Sequence, residues 1–209
     1  MAVMPLNSSR KKIVWPAEWK AGLGLCAALA LGVGGGYAYT DFVPTDDTYV
    51  DQAAINANFG TTTRLHVRSG ASAGEQDSFL KFNVSGLSGS VISAKIEISS
   101  VDVSGNLTAY AVPGTSWSET NMTWNNKPAT GSALATVNCV AGNNCEFNVT
   151  SAVPSNGVYA FCLKGYAQDV SDSFKSKESN IKPVLPSRPA RGGSLIPVSL
   201  LTTWRLCRS

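Results

Sequence analysis

A single histidine restricts the chemistry open to this 209-residue chain. His66 lies in residues 64–69, RLHVRS, between Leu65 and Val67. No metal-ligand cluster surrounds it, and H-E-x-x-H and a phosphate-binding glycine loop are both absent. A serine triad would depend on His66, whose setting in an alternating segment suits an exposed strand residue better. A glycosidase needs two paired carboxylates. Acids are plentiful, but nothing singles out two of them. The residue types point away from catalysis and toward binding.

The basic residues have a pattern that could bind anions. Arg64, His66 and Arg68 share one parity of the alternation, forming a stripe with about 7 Å per step. Lys81 and Lys95 share the outward parity on candidate neighbouring strands, and Lys164 does so on another. Guanidinium and ammonium groups of this kind bind carboxylates and sulfates. Arg64, His66, Arg68 and Lys81 are the first candidates for an acidic polysaccharide, with Lys164 behind them. The plainer reading of each is a solvated outer face. Asp46, Asp47 and Asp51 offer hard oxygen ligands, so a calcium ion is the one cofactor these residues could take, although no EF-hand spacing is present.

Residues 115–128, TSWSETNMTWNNKP, hold Trp117 and Trp124 seven positions apart among Ser, Thr and Asn. The segment suits neither a simple strand nor an amphipathic helix, and Pro128 bars a helix behind it. Exposed rings stack on sugars, whereas buried rings pin loops. The polar residues between them look like caps and turns, which favours the pinned loop.

These residues need a scaffold, and residues 45–185 read as strands throughout. SFLKFNV (78–84) sets Leu80, Phe82 and Val84 against Phe79, Lys81 and Asn83. VISAKIEI (91–98) sets Ile92, Ala94, Ile96 and Ile98 against Lys95 and Glu97. GVYAFCLK (157–164) sets Tyr159, Phe161 and Leu163 against Val158, Ala160, Cys162 and Lys164. Such strands bury one face and wet the other. Turn signals recur between them at 85–90, 103–106 and 154–157. Many short strands with frequent turns predict an all-β sandwich or jelly roll with antiparallel sheets.

Charge and cysteines bound the setting. The chain carries net +3, yet residues 41–185 hold nine Lys/Arg against thirteen Asp/Glu, a net of −4. The basic balance belongs to the two ends, and an acidic body excludes nucleic acid as the main partner. Residues 1–40 place Arg10, Lys11, Lys12 and Lys20 before the apolar run 21–37, the pattern of a secretory signal. An uncleaved anchor, and with it membrane contact, is the alternative. Export makes a disulfide between Cys139 and Cys145 the expectation, because they flank VAGNN on what reads as a hairpin; free thiols are the other reading. Cys162 reads as a small buried hydrophobe. Asn83, Asn106, Asn121 and Asn148 begin N-x-S/T triplets, which matter only in a host that glycosylates them. Residues 186–209 hold four Arg, three Pro and no acid. They read as a disordered tail or out-of-register translation, or else as a short sorting tail.

An ordered series of segments resembles a known family: DDTYVDQ (46–52), NFGTTTRLHVRSG (58–70), SFLKFNVSGL (78–87), WSETNMTWNNKPA (117–129), FNVTSAV (147–153), GVYAFCL (157–163) and FKSKESNIKPVL (174–185). It resembles the DNRLRE-type domain, carbohydrate-binding module family 96. The resemblance implies a secreted jelly-roll β-sandwich that accompanies polysaccharide lyases and binds alginate, an anionic uronate polymer. Two departures are visible. Pro186 stands where the family closes with an alternating strand, and no catalytic domain accompanies the module within these residues. The expected organisation is a signal or anchor at 1–40, a binding module at 41–185 and a basic tail at 186–209. The expected function is non-catalytic polysaccharide binding outside the cell. The alternative is a structural or adhesive surface protein that associates with itself.

Overall fold

Alternation becomes eleven strands among the described residues of the computed structural model, which are 38–190 apart from 71, 103–104 and 166–170. In chain order they are β1 (Thr40–Phe42), β2 (Pro44–Asp51), β3 (Arg64–Val67), β4 (Gln76–Val84), β5 (Val91–Ser99), β6 (Gly105–Val112), β7 (Ala133–Cys139), β8 (Asn144–Asn148), β9 (Gly157–Gly165), β10 (Asp172–Lys175) and β11 (Leu185–Pro189). The fold is the expected all-β sandwich with antiparallel sheets. One sheet runs β2-β4-β9-β6-β7 and the other β1-β11-β5-β8, with β3 and β10 forming a two-stranded ribbon. This order is compatible with the jelly-roll type.

The ribbon sits where the two sheets approach, bridged to β4 through Arg68 and Gln76 and to the end of β5 through Ser100 and Phe174. Leu65, Val67 and Phe174 point inward from it. They meet Leu80, Phe82, Phe161 and Leu163 of one sheet and Ile96, Ile98, Phe147 and Leu185 of the other in a single core. Each buried aromatic or branched side chain contributes on the order of 2 kcal/mol to holding the layers together.

The 139–145 disulfide is present, with a Cα–Cα distance of 5.5 Å. Its setting differs from a hairpin: β7 and β8 are the edges of different sheets. The bridge therefore clips one sheet to the other at a corner.

Three expectations are corrected by the packing. Residues 78–84 and 157–164 do not bury one face and wet the other at their centres. Phe79 and Ala160, on the outward parity, are buried with Val50, Val112 and Met122 in a second apolar layer, where Cys162 lies as the buried hydrophobe expected. Ile92 was expected inside but is 45% exposed, while Val91 is 7% exposed. The pairing steps from Arg188–Ser93 to Pro189–Val91, which leaves Ile92 as the extra residue of a bulge and reverses the parity there. Pro186, expected to interrupt the last strand, lies within β11. Val184 pairs with Glu97 before it and Ser187 with Ala94 after it, so the ladder continues in register across one missing N–H.

Candidate functional site

The 115–128 loop folds back over the outer face of the five-stranded sheet and supplies the lid of the second apolar layer. Its start is pinned by Trp117, which meets Phe79 edge-on at 6.2 Å between centroids. Its middle is tied to the 55–60 segment. Asn58 Nδ2 donates to the carbonyls of Glu119 (2.5 Å) and Met122 (2.7 Å), and the Asn125 N–H donates to the Ile55 carbonyl at 3.2 Å. Gly60 is required at the contact, because a Cβ there would lie 2.1 Å from the Glu119 carbonyl oxygen. Trp124–Asn126 forms a 3-10 turn capped reciprocally by Thr123 and Asn126.

Lysines hold both rings. Lys81 Nζ donates to the Trp117 carbonyl and lies 4.7 Å from the centroid of its ring. Lys127 Nζ lies 3.1 Å from the Trp124 centroid. Each indole is half-buried with a face occupied by a cation, an arrangement that stabilises the loop and removes that face from sugar stacking. A cleft of about 410 Å³ runs beside the loop, lined by Ser116, Trp117, Ser118, Asn121, Met122 and Asn126.

The basic candidates do not form one stripe. Arg64, His66 and Arg68 do point away from the core on the β3 side. Lys81 and Lys164 instead lie on the outer face of the five-stranded sheet, under and beside the loop. Lys95 was expected to neighbour Lys81, but β5 belongs to the other sheet, so the two project from opposite sides of the sandwich. Lys95 pairs there with Glu146 at 2.9 Å.

Most of these charges have partners. Arg68 has a side chain 15% exposed, donates to the Gly74 and Ala73 carbonyls at 2.7 and 2.6 Å, and lies 3.5 Å from Asp51. Lys81, 12% exposed, pairs with Asp46 at 2.9 Å. Lys164 and Lys127 share the buried Asp77 at 3.2 and 2.6 Å. Burial opposes the charge on Lys164, but Asp77 outweighs it and leaves the ammonium raised above its usual range. His66 is the reverse case. Burial is the largest effect and holds the imidazole below its usual range, although Asp102 pulls the other way. Its ring meets Tyr49 edge-on at 4.8 Å, and Nδ1 lies 3.2 Å from Ser171 Oγ.

Arg64 is the most available of the five, 47% exposed, with Ser173 Oγ at 3.3 Å and Asp102 at 3.9 Å. Directly across the ladder from it stands Lys175 of β10, which sequence reasoning missed. The alternation of Phe174 and Lys175 carried the signal, but only the ribbon pairing brings Lys175 beside Arg64.

The three aspartates named for calcium do not converge. Asp46 and Asp47 are adjacent on β2 and so face opposite sides, while Asp51 caps the following 3-10 turn and accepts from the Ala53 N–H. Asp47 alone joins an acidic group, with Glu119 and Glu178. Among the described residues, no helix is long and apolar enough to cross a membrane. Of the signal or anchor expected at 1–40, residues 1–37 lie outside the described residues, as do residues 191–209 of the tail expected at 186–209; Thr40 belongs to β1, and residues 186–189 belong to β11 rather than to a disordered tail.

Comparison with known proteins bears on this geometry. The model of carbohydrate-binding module family 96 matches residues 38–188, the span of both sheets and the ribbon. A Bacillus sp. protein named gellan lyase is 33% identical over 130 residues, covering 58% of this chain. The match spans 5% of that protein's length. The family match thus takes in both the sandwich and the tryptophan loop of this chain.

Proposed function

We propose, from the premise that this chain belongs to carbohydrate-binding module family 96, that it binds an anionic, alginate-like polysaccharide without cleaving it, displayed outside the cell. The observation that carries this reading is the family match across the whole sandwich. The proposed contact is the outer side of the β3–β10 ribbon. Arg64 leads, because its guanidinium is half-exposed and can grip a carboxylate bidentately. Lys175 stands opposite Arg64, and His66 follows one step along the strand. Arg68, Lys81 and Lys164 have carboxylate partners of their own, so they shape the local potential and contribute less direct contact. The two tryptophans belong to the scaffold.

Affinity electrophoresis tests this against alginate, gellan, pectate and neutral glucans. Retardation by the acidic polymers, weakened by salt and by Arg64→Ala/Lys175→Ala, is expected. Retardation by no polymer overturns the binding reading. Full retention by the double variant moves the contact elsewhere on the module. Unchanged polymer viscosity over hours separates binding from cleavage.

A further inference from the structure

Three carboxylates and one ammonium meet where β2, the 115–128 loop and the segment after β10 come together. One oxygen each from Asp47, Glu119 and Glu178 lies within 4.8 Å of the others. Asp47 is 1% exposed. Its Oδ2 accepts from the Lys177 N–H at 2.8 Å, and its own N–H donates to Glu119 Oε2 at 3.0 Å. Lys177 Nζ bridges Glu119 at 2.9 Å and Glu178 at 2.7 Å. Asp47 Oδ1, by contrast, is sealed from solvent and has no hydrogen-bond donor. Such an orphaned buried acceptor is rare and calls for an explanation.

We infer that Asp47, Glu119 and Glu178 form a divalent-cation site whose occupant is calcium. The donors are all hard oxygens, and neither histidine nor cysteine is among them, which disfavours zinc. Calcium accepts an irregular set of carboxylates, whereas magnesium demands a near-octahedral one. Lys177 is the competitor. Its ammonium neutralises part of the cluster when no ion is bound, and its flexible stem can carry it outward when one arrives. The ion would join β2 to the tryptophan loop and the post-β10 segment, giving Asp47 Oδ1 the partner it lacks.

Isothermal titration and thermal melting of the full chain, stripped with EDTA and without polysaccharide, test the site. Calcium is expected to bind saturably at one site. It should raise Tm by about 5–10 °C at a hundredfold excess over Kd. Lys177→Met separates a cation site from a purely structural network. It should melt lower than wild type in EDTA, bind calcium on the order of tenfold tighter and recover its stability on calcium addition. Glu178→Gln should weaken calcium binding at least about tenfold. Absence of calcium binding in both wild type and Lys177→Met overturns the proposal. Unchanged or weaker binding in Lys177→Met also overturns it, as does magnesium binding equal to that of calcium.

Discussion

Replacing Gly60 by alanine tests whether the 115–128 loop is clamped to the body. The new Cβ would lie 2.1 Å from the Glu119 carbonyl oxygen and 2.5 Å from its carbon, far inside contact distance and against backbone that no rotamer can move. The loop must retreat by about 1 Å. That retreat stretches both hydrogen bonds from Asn58 Nδ2, each worth about 1 kcal/mol. It also lifts Met122, 2% exposed, from the second apolar layer. Overpacking adds about 1–3 kcal/mol. The expected cost is about 3–5 kcal/mol, a fall in Tm of roughly 10 °C for a domain of this size. Gly86→Ala is the control. Gly86 has φ +73° and nothing within 4 Å of its added Cβ, so only about 1 kcal/mol of backbone strain is expected. Urea unfolding followed by tryptophan fluorescence measures both. A Gly60→Ala cost no greater than that of Gly86→Ala refutes the clamp, and with it the assignment of both tryptophans to the scaffold.

Two further outcomes follow from the charges. Asp77→Asn leaves Lys127 and Lys164 without their shared carboxylate beneath the loop and should cost about 3 kcal/mol, with partial recovery in Asp77→Asn/Lys127→Met. Equal urea midpoints for wild type and Asp77→Asn would contradict this. His66 is held below its usual value of 6.5, so the unfolded chain takes up the proton first as pH falls. Stability should therefore decline from about pH 6.5 downward, and His66→Gln should flatten that decline; parallel pH profiles of the urea midpoint would contradict the burial account.

The sandwich was legible because its inner residues follow strict alternation. Leu80, Phe82 and Val84, like Phe161 and Leu163, repeat at every second position and land in one core. The tryptophan loop was legible as scaffold from the turn-forming residues between its rings. The second apolar layer was not, because Phe79 and Ala160 look like outward positions until a segment about 40 residues away in sequence covers them. The partners of the basic residues were hidden for a related reason. Parity along a strand shows where a cation points, but not which carboxylate waits there. Lys81 meets Asp46 and Lys164 meets Asp77 only through neighbouring strands. The bulge at Ile92 left no sequence mark, since it arises from how β11 registers on β5.

The pairing of β1 with β11 has a mechanical consequence. Thr40 lies opposite Ser187 and Phe42 opposite Leu185, so the outgoing ends of both strands leave from the same end of the ladder. A force pulling those ends apart loads the rungs one after another, as in a zipper, instead of shearing them together. In a pulling experiment β1 should peel off at low force as a first step. The clipped corner at Cys139 and Cys145 would hold the remaining sheets together until a second, stronger event.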